Sequence, residues 1–137
     1  MADQKKIIMT FTKAPSQEDL ETFAQEALED FPSELLGYLD DAEIIVDDFP
    51  PEELEAEMGL ESAFELLAFF KKHAEKIPGV QAKDVAEEKV LYLYRRPILD
   101  MWCETGDDLP AIIRHVMISE VAQSHDYSED EIEQFAV

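Results

Sequence analysis

Ser119, Glu120 and Gln123 have the residue types and spacing in this chain that come nearest to a reactive centre. In an α-helix, positions four apart lie one turn apart on the same face, so 119 and 123 stand side by side with Glu120 next to them. With imidazoles at the two outer positions, such a turn grips a zinc ion and the carboxylate activates the metal-bound water. Here the outer positions carry a hydroxyl and a neutral amide, both poor zinc donors beside imidazole. The carboxylate remains without its partners.

The other reactive side chains have plainer readings. His115 and His125 sit five residues either side of Glu120. Five residues turn a helix by about 140°, so both rings are expected to point away from the carboxylate. His115 reads as a packed or surface histidine, and His125 marks a helix end, where a cation complements the dipole. His73 lies in a polar stretch and reads as solvated. Arg95 and Arg96 offer a grip for a substrate carboxylate, or partners for nearby acids. Trp102 reads as a core residue or a surface anchor. Cys103 has Glu104 beside it, which disfavours a nucleophilic role.

The segments that must position these groups read as an α+β fold. Ser16-Gln17-Glu18-Asp19 is an N-cap followed three residues later by an acid, and Leu20, Phe23, Ala24, Ala27 and Leu28 recur at helical spacing. Pro32 ends that helix or begins a further turn through Ser33–Leu39. Ala42–Val46 is a short β-branched strand, and Pro51 starts an acidic helix ending at Gly59. Phe64–Phe70 and Lys89–Tyr94 read as two strands of one small sheet, joined by a polar surface excursion over 71–88 containing Pro78-Gly79. Arg95-Arg96-Pro97 ends the second strand. Asp107-Asp108-Leu109-Pro110 opens the main helix, 109–124, on which Ile112, Val116, Ser119 and Gln123 share one stripe. Ser128-Glu129-Asp130-Glu131 caps a final short helix. Residues 5–12 give a short strand or an ordered arm.

The chain has 137 residues, 46% of them apolar, which is enough for one domain with a real core. Its 33 acidic and 11 basic residues leave a net charge of −22. No basic residue falls between Lys13 and Lys71, whereas eighteen acids lie between Glu18 and Glu65. Such a surface repels phosphate backbones, so nucleic acid is not an expected partner. The acidity serves solubility, forms a face for a basic partner, or mimics nucleic acid. No apolar run reaches the roughly twenty residues of a membrane span, and the N-terminus does not read as a secretory signal. A single cysteine gives no internal disulfide, and the cytoplasm is the expected location.

Taken in order along the chain, several segments resemble the minimal zincin-like metallopeptidases, a family of short single-domain zinc peptidases. The family's early helix with its Pro-Glu turn is similar to Leu20–Leu35. Its strand leading into an acid-Phe-Pro signature is similar to Ile44-Ile45-Val46-Asp47-Asp48-Phe49-Pro50. A family strand resembles Leu66-Leu67-Ala68-Phe69-Phe70, and a Tyr-Arg-Arg-Pro-Ile-Leu segment matches Tyr94–Leu99. Arg114-His115-Val116 precedes the site as in the family.

The resemblance implies a zincin-like α+β fold, with a small mixed sheet packed against helices that include the 109–124 helix. It also implies a site of the form His-Glu-x-x-His-x-x-Gly-x-x-Asp or His. On this chain the ligand positions are then Ser119, Gln123 and Glu129, the base position is Glu120, and the turn glycine is Asp126. Zinc, the cofactor of the family, is not expected to bind these residues. The expected function is that of a metallopeptidase-like protein that has lost zinc and catalysis and acts as a binding or regulatory module. A peptide or protein is the expected partner, laid along a sheet edge. Two alternatives stand beside this: a metal-dependent hydrolase using Glu120 and Glu129 with atypical ligands, and an acidic protein binding a basic partner.

Overall fold

Val90-Leu91-Tyr92-Leu93-Tyr94 alternates between two apolar faces, and this segment (β3, Val90–Tyr94) is the middle strand of a three-stranded sheet with all five side chains buried. The computed structural model describes residues 14–72 and 89–136. β1 (Glu43–Asp47) pairs with β3 in parallel, with Glu43 opposite Val90 and Asp47 opposite Tyr94. β2 (Ala68–Lys71) pairs with it antiparallel, with Ala68 opposite Leu93 and Lys71 opposite Val90. The sheet is therefore mixed, in the order β1-β3-β2. Leu91 and Leu93 face the main core, while Val90, Tyr92 and Tyr94 pack on the other face with Leu54.

Among the described residues six α-helices surround this sheet, giving the expected α+β class. The first, α1 (Gln17–Glu29), opens on a reciprocal cap: the Ser16 hydroxyl accepts the Asp19 N–H at 3.1 Å, and the Asp19 carboxylate accepts the Ser16 N–H at 2.8 Å. Leu20, Ala24 and Ala27 form its buried face. A short α2 (Ser33–Leu36) runs into a 3₁₀ turn over Gly37–Leu39. The acidic α3 (Glu52–Met58) stops at Gly59, whose φ of +70° lets the chain reverse without a Cβ clash.

The strand expected over Phe64–Phe70 is shorter than its apolar run. Ser62 accepts the Phe64 N–H at 3.1 Å and opens a 3₁₀ turn at Ala63–Glu65, leaving Phe64 exposed against the edge of Phe49. β2 begins only at Ala68 because its partner ends: Leu67 lies opposite Tyr94, and the next residue, Arg95, is already helical. Arg95-Arg96-Pro97 does not simply end β3 but starts a helix, α4 (Arg95–Thr105). Pro97 falls in its first turn, where a missing N–H costs no hydrogen bond. Lys71, expected to open the polar excursion, is instead the last residue of β2 and is buried. The reading of 5–12 as a strand or arm, and that of 73–88 as a surface loop, lie outside the described residues.

The main helix, α5 (Leu109–Ser124), is held at its start by the Asp108 carboxylate, which accepts the Ala111 N–H at 3.3 Å. Ile113, Met117, Ile118, Val121 and Ala122 are fully buried, so α5 is central and not a half-exposed surface helix. It packs against α1, β2, α4 and the terminal helix α6 (Glu129–Ala136). Arg114 ties it to α1 by donating to the Asp30 carbonyl at 3.0 Å. No helix among the described residues is long and apolar enough to cross a membrane.

Candidate functional site

The sheet edge and the central helix meet at β2. Leu67 turns its carbonyl toward β3, where it accepts the Tyr94 N–H at 2.9 Å. Strand alternation then directs the backbone groups of Ala68 and Phe70 to the outer edge. An edge N–H needs a partner when water is largely excluded. Glu120 supplies it, accepting the Phe70 N–H at 3.0 Å. Burial pushes the Glu120 carboxyl up to about 7, an effect the donated N–H only partly reverses.

Beside this bond lies a cleft of about 270 Å³. Its helix wall is formed by His115, Val116, Ser119, Glu120 and Gln123 of α5. The strand wall runs from Glu65 to Ala68, and Met101 of α4 also contributes. The stripe through Val116, Ser119 and Gln123 thus opens on one cavity, with Glu120 in it. His115 lines it too, although it sits five residues before Glu120 on the helix. The 140° rotation between them is real, but the cleft is wide enough to be bordered by both. Glu65 was not singled out in the sequence; it comes to the cleft only because the 3₁₀ turn places it before β2.

Glu129 does not line the cleft. It is the exposed first residue of α6, beside a cap in which Ser128 and Glu131 each accept the other's backbone N–H, at 3.2 and 2.8 Å. Between α5 and α6, Asp126 has φ +65°, the left-handed conformation that a turn glycine would supply. The backbone there takes a bend to which glycine is better suited than aspartate. His125 caps α5 and stacks on Tyr38 with ring centroids 3.7 Å apart; its Nδ1–H donates to the Val121 carbonyl at 2.8 Å. Cys103 is exposed, and Trp102 packs half-buried against the main core.

Arg95 and Arg96 lie away from the cleft lining. The Arg95 Nε donates to the Pro15 carbonyl at 2.7 Å, and its Nη1 pairs with Asp48 at 3.2 Å. The guanidinium of Arg96 sits over the Phe49 ring at 5.6 Å. Both arginines fasten the start of α4 to the loop that follows β1.

These side chains do not fit a zinc ion. The two positions one turn apart in the cleft carry a hydroxyl and an amide, and one oxygen of Glu120 is committed to Phe70. Among the described residues no three His, Cys, Asp or Glu side chains are grouped so as to hold a metal.

A search of curated proteins found no match to the chain. A family model does match: the one described as zincin-like metallopeptidase aligns with residues 39–136, a span that holds all three strands and the whole cleft. By fold, by the place of the Glu-bearing helix beside an edge strand, and by this match over most of its length, the chain belongs to the zincin-like metallopeptidase family.

Proposed function

We propose that this protein is a zincin-like metallopeptidase relative that no longer binds zinc or cleaves peptides, and that its cleft serves as a binding groove for an extended peptide. The observation that carries this reading is the bond from the Phe70 N–H to Glu120. A general base must meet a metal-bound water; here one oxygen of the carboxylate satisfies the backbone of the strand beside it. Ser119 and Gln123, flanking it on the helix, supply no ligand that would recruit an ion there.

What remains is suited to binding. The outer edge of β2 carries the N–H and C=O of Ala68 alongside a cavity, the arrangement by which a sheet takes up a further strand. Main-chain hydrogen bonds supply affinity in that mode, and cleft side chains supply selectivity. A lone exposed cysteine accords with a reducing compartment, and we place the protein in the cytoplasm.

Metal analysis of the purified protein after zinc loading and desalting tests the first half of the proposal. The expected result is zinc well below one equivalent and no cleavage of a mixed peptide substrate. Stoichiometric zinc, removable by chelator together with a peptidase activity, would refute it. Hydrogen exchange tests the second half, through slowed exchange of the Ala68 amide when a strand-forming peptide is added.

A further inference from the structure

We infer that the cleft selects its peptide by a basic side chain, a lysine or arginine whose stem lies between Val116 and Met101 and whose cation meets Glu120 and Glu65. This inference rests on the peptide-groove reading above and adds the chemistry of the ligand to it.

Three observations carry it. The first is the wall chemistry: Leu66, Met101 and Val116 are apolar, whereas Glu65 and Glu120 are acidic residues of the same lining, which also includes His115. Among the described residues no lysine or arginine lines it. Long basic side chains match that combination, since their methylenes cover apolar surface while the charged head seeks an acid.

The second is the pose of Glu120. Its Oε2 is fixed by the Phe70 N–H, so the carboxylate is oriented before any ligand arrives. An apolar ligand closing over it would push the carboxyl further toward neutrality and leave its second oxygen without a partner. A cation closing over it compensates the burial that already pushes this carboxyl toward neutrality. The third is the long-range field, since a net charge of −22 draws cationic ligands and repels acidic ones.

The geometry also sets a register. Phe70 has its N–H occupied, so an added strand pairs at Ala68. A side chain of that strand turned toward α5 then lies beside Glu120.

The test uses the full chain and an immobilised library of N-acetylated, C-amidated octapeptides with randomised central positions, at physiological salt. Three variants accompany the wild type. Glu120→Gln removes the charge but keeps a carbonyl to accept the Phe70 N–H. Glu65→Gln removes the second acid, which lies exposed in a turn, and carries the test if Glu120→Gln is found unfolded by circular dichroism. Ala68→Pro deletes the outward N–H of an edge strand, a position where proline is tolerated.

The expected result is enrichment of lysine or arginine at one position. Replacing that lysine by norleucine should weaken binding about tenfold or more, a difference that shrinks in Glu120→Gln or Glu65→Gln. Peptides that bind wild type, fail on Ala68→Pro and show no basic preference would overturn this inference and leave the groove reading standing. Basic peptides held equally by Ala68→Pro would overturn it as well, because general acidity would then be the cause. No peptide retained by any form of the protein would overturn both readings.

Discussion

The Glu120 carboxylate accepts the backbone N–H of Phe70 at 3.0 Å, joining the central helix α5 to the edge strand β2 across fifty residues of chain. That carboxylate closes a gap in the hydrogen bonding of a sheet edge.

Removing that acceptor should loosen the edge. Glu120→Ala leaves the Phe70 N–H without a partner in a largely buried setting, and a loss of about 1–3 kcal/mol is expected in urea unfolding. Glu120→Gln, which keeps an acceptor oxygen, should not show this loss. Equal destabilisation by both changes would mean that the hydrogen bond is not what Glu120 contributes.

The same residue should give stability a particular pH dependence. Its carboxyl is raised to about 7 in the fold from 4.5. The folded state therefore holds the proton more tightly than the unfolded state between those values. The stabilisation is complete below about 4.5 and is lost as pH rises through about 7. Against the acidic background of the whole chain, the difference between wild type and Glu120→Gln isolates it. The variant should gain on wild type by an amount on the order of 2 kcal/mol between pH 5 and pH 8. Parallel stability curves would refute the shift.

Zinc affinity should appear when imidazoles are introduced. Positions 119 and 123 already face one cleft with Glu120 between them. The variant carrying Ser119→His, Gln123→His and Asp126→Gly is expected to bind zinc in competition with a chromophoric chelator, while wild type does not. A folded variant indifferent to zinc would break the correspondence between these positions and the ligand positions of the family.

Asp126→Gly alone should stabilise the protein by roughly 0.5 kcal/mol. At φ +65° a side chain carries a steric cost that glycine avoids, and the gain is reduced by the greater freedom of glycine in the unfolded chain. Thermal unfolding reads the difference, and a lower midpoint for the variant would show that the aspartate side chain contributes to the turn.

Much of this was legible along the chain because its causes are local. Ser16 with Asp19, Asp108 with Ala111, and Ser128 with Glu131 are contacts within one turn, so residue types alone mark where α1, α5 and α6 begin. The alternation of Val90–Tyr94 marks β3 in the same way, and the helical turn that carries Glu120 between Ser119 and Gln123 could be read directly.

Only the tertiary structure decided where β2 begins, because that depends on β3 turning into α4 at Arg95, far away in sequence. It alone brought Glu65 and His115 to one cleft, buried Lys71 in a strand, and set Glu120 against Phe70. Each of these is a meeting between surfaces distant in sequence, and local spacing carries no record of which edge a helix will meet. The sequence determined that an acid stands on the helix between a hydroxyl and an amide. Packing decided what that acid would hold.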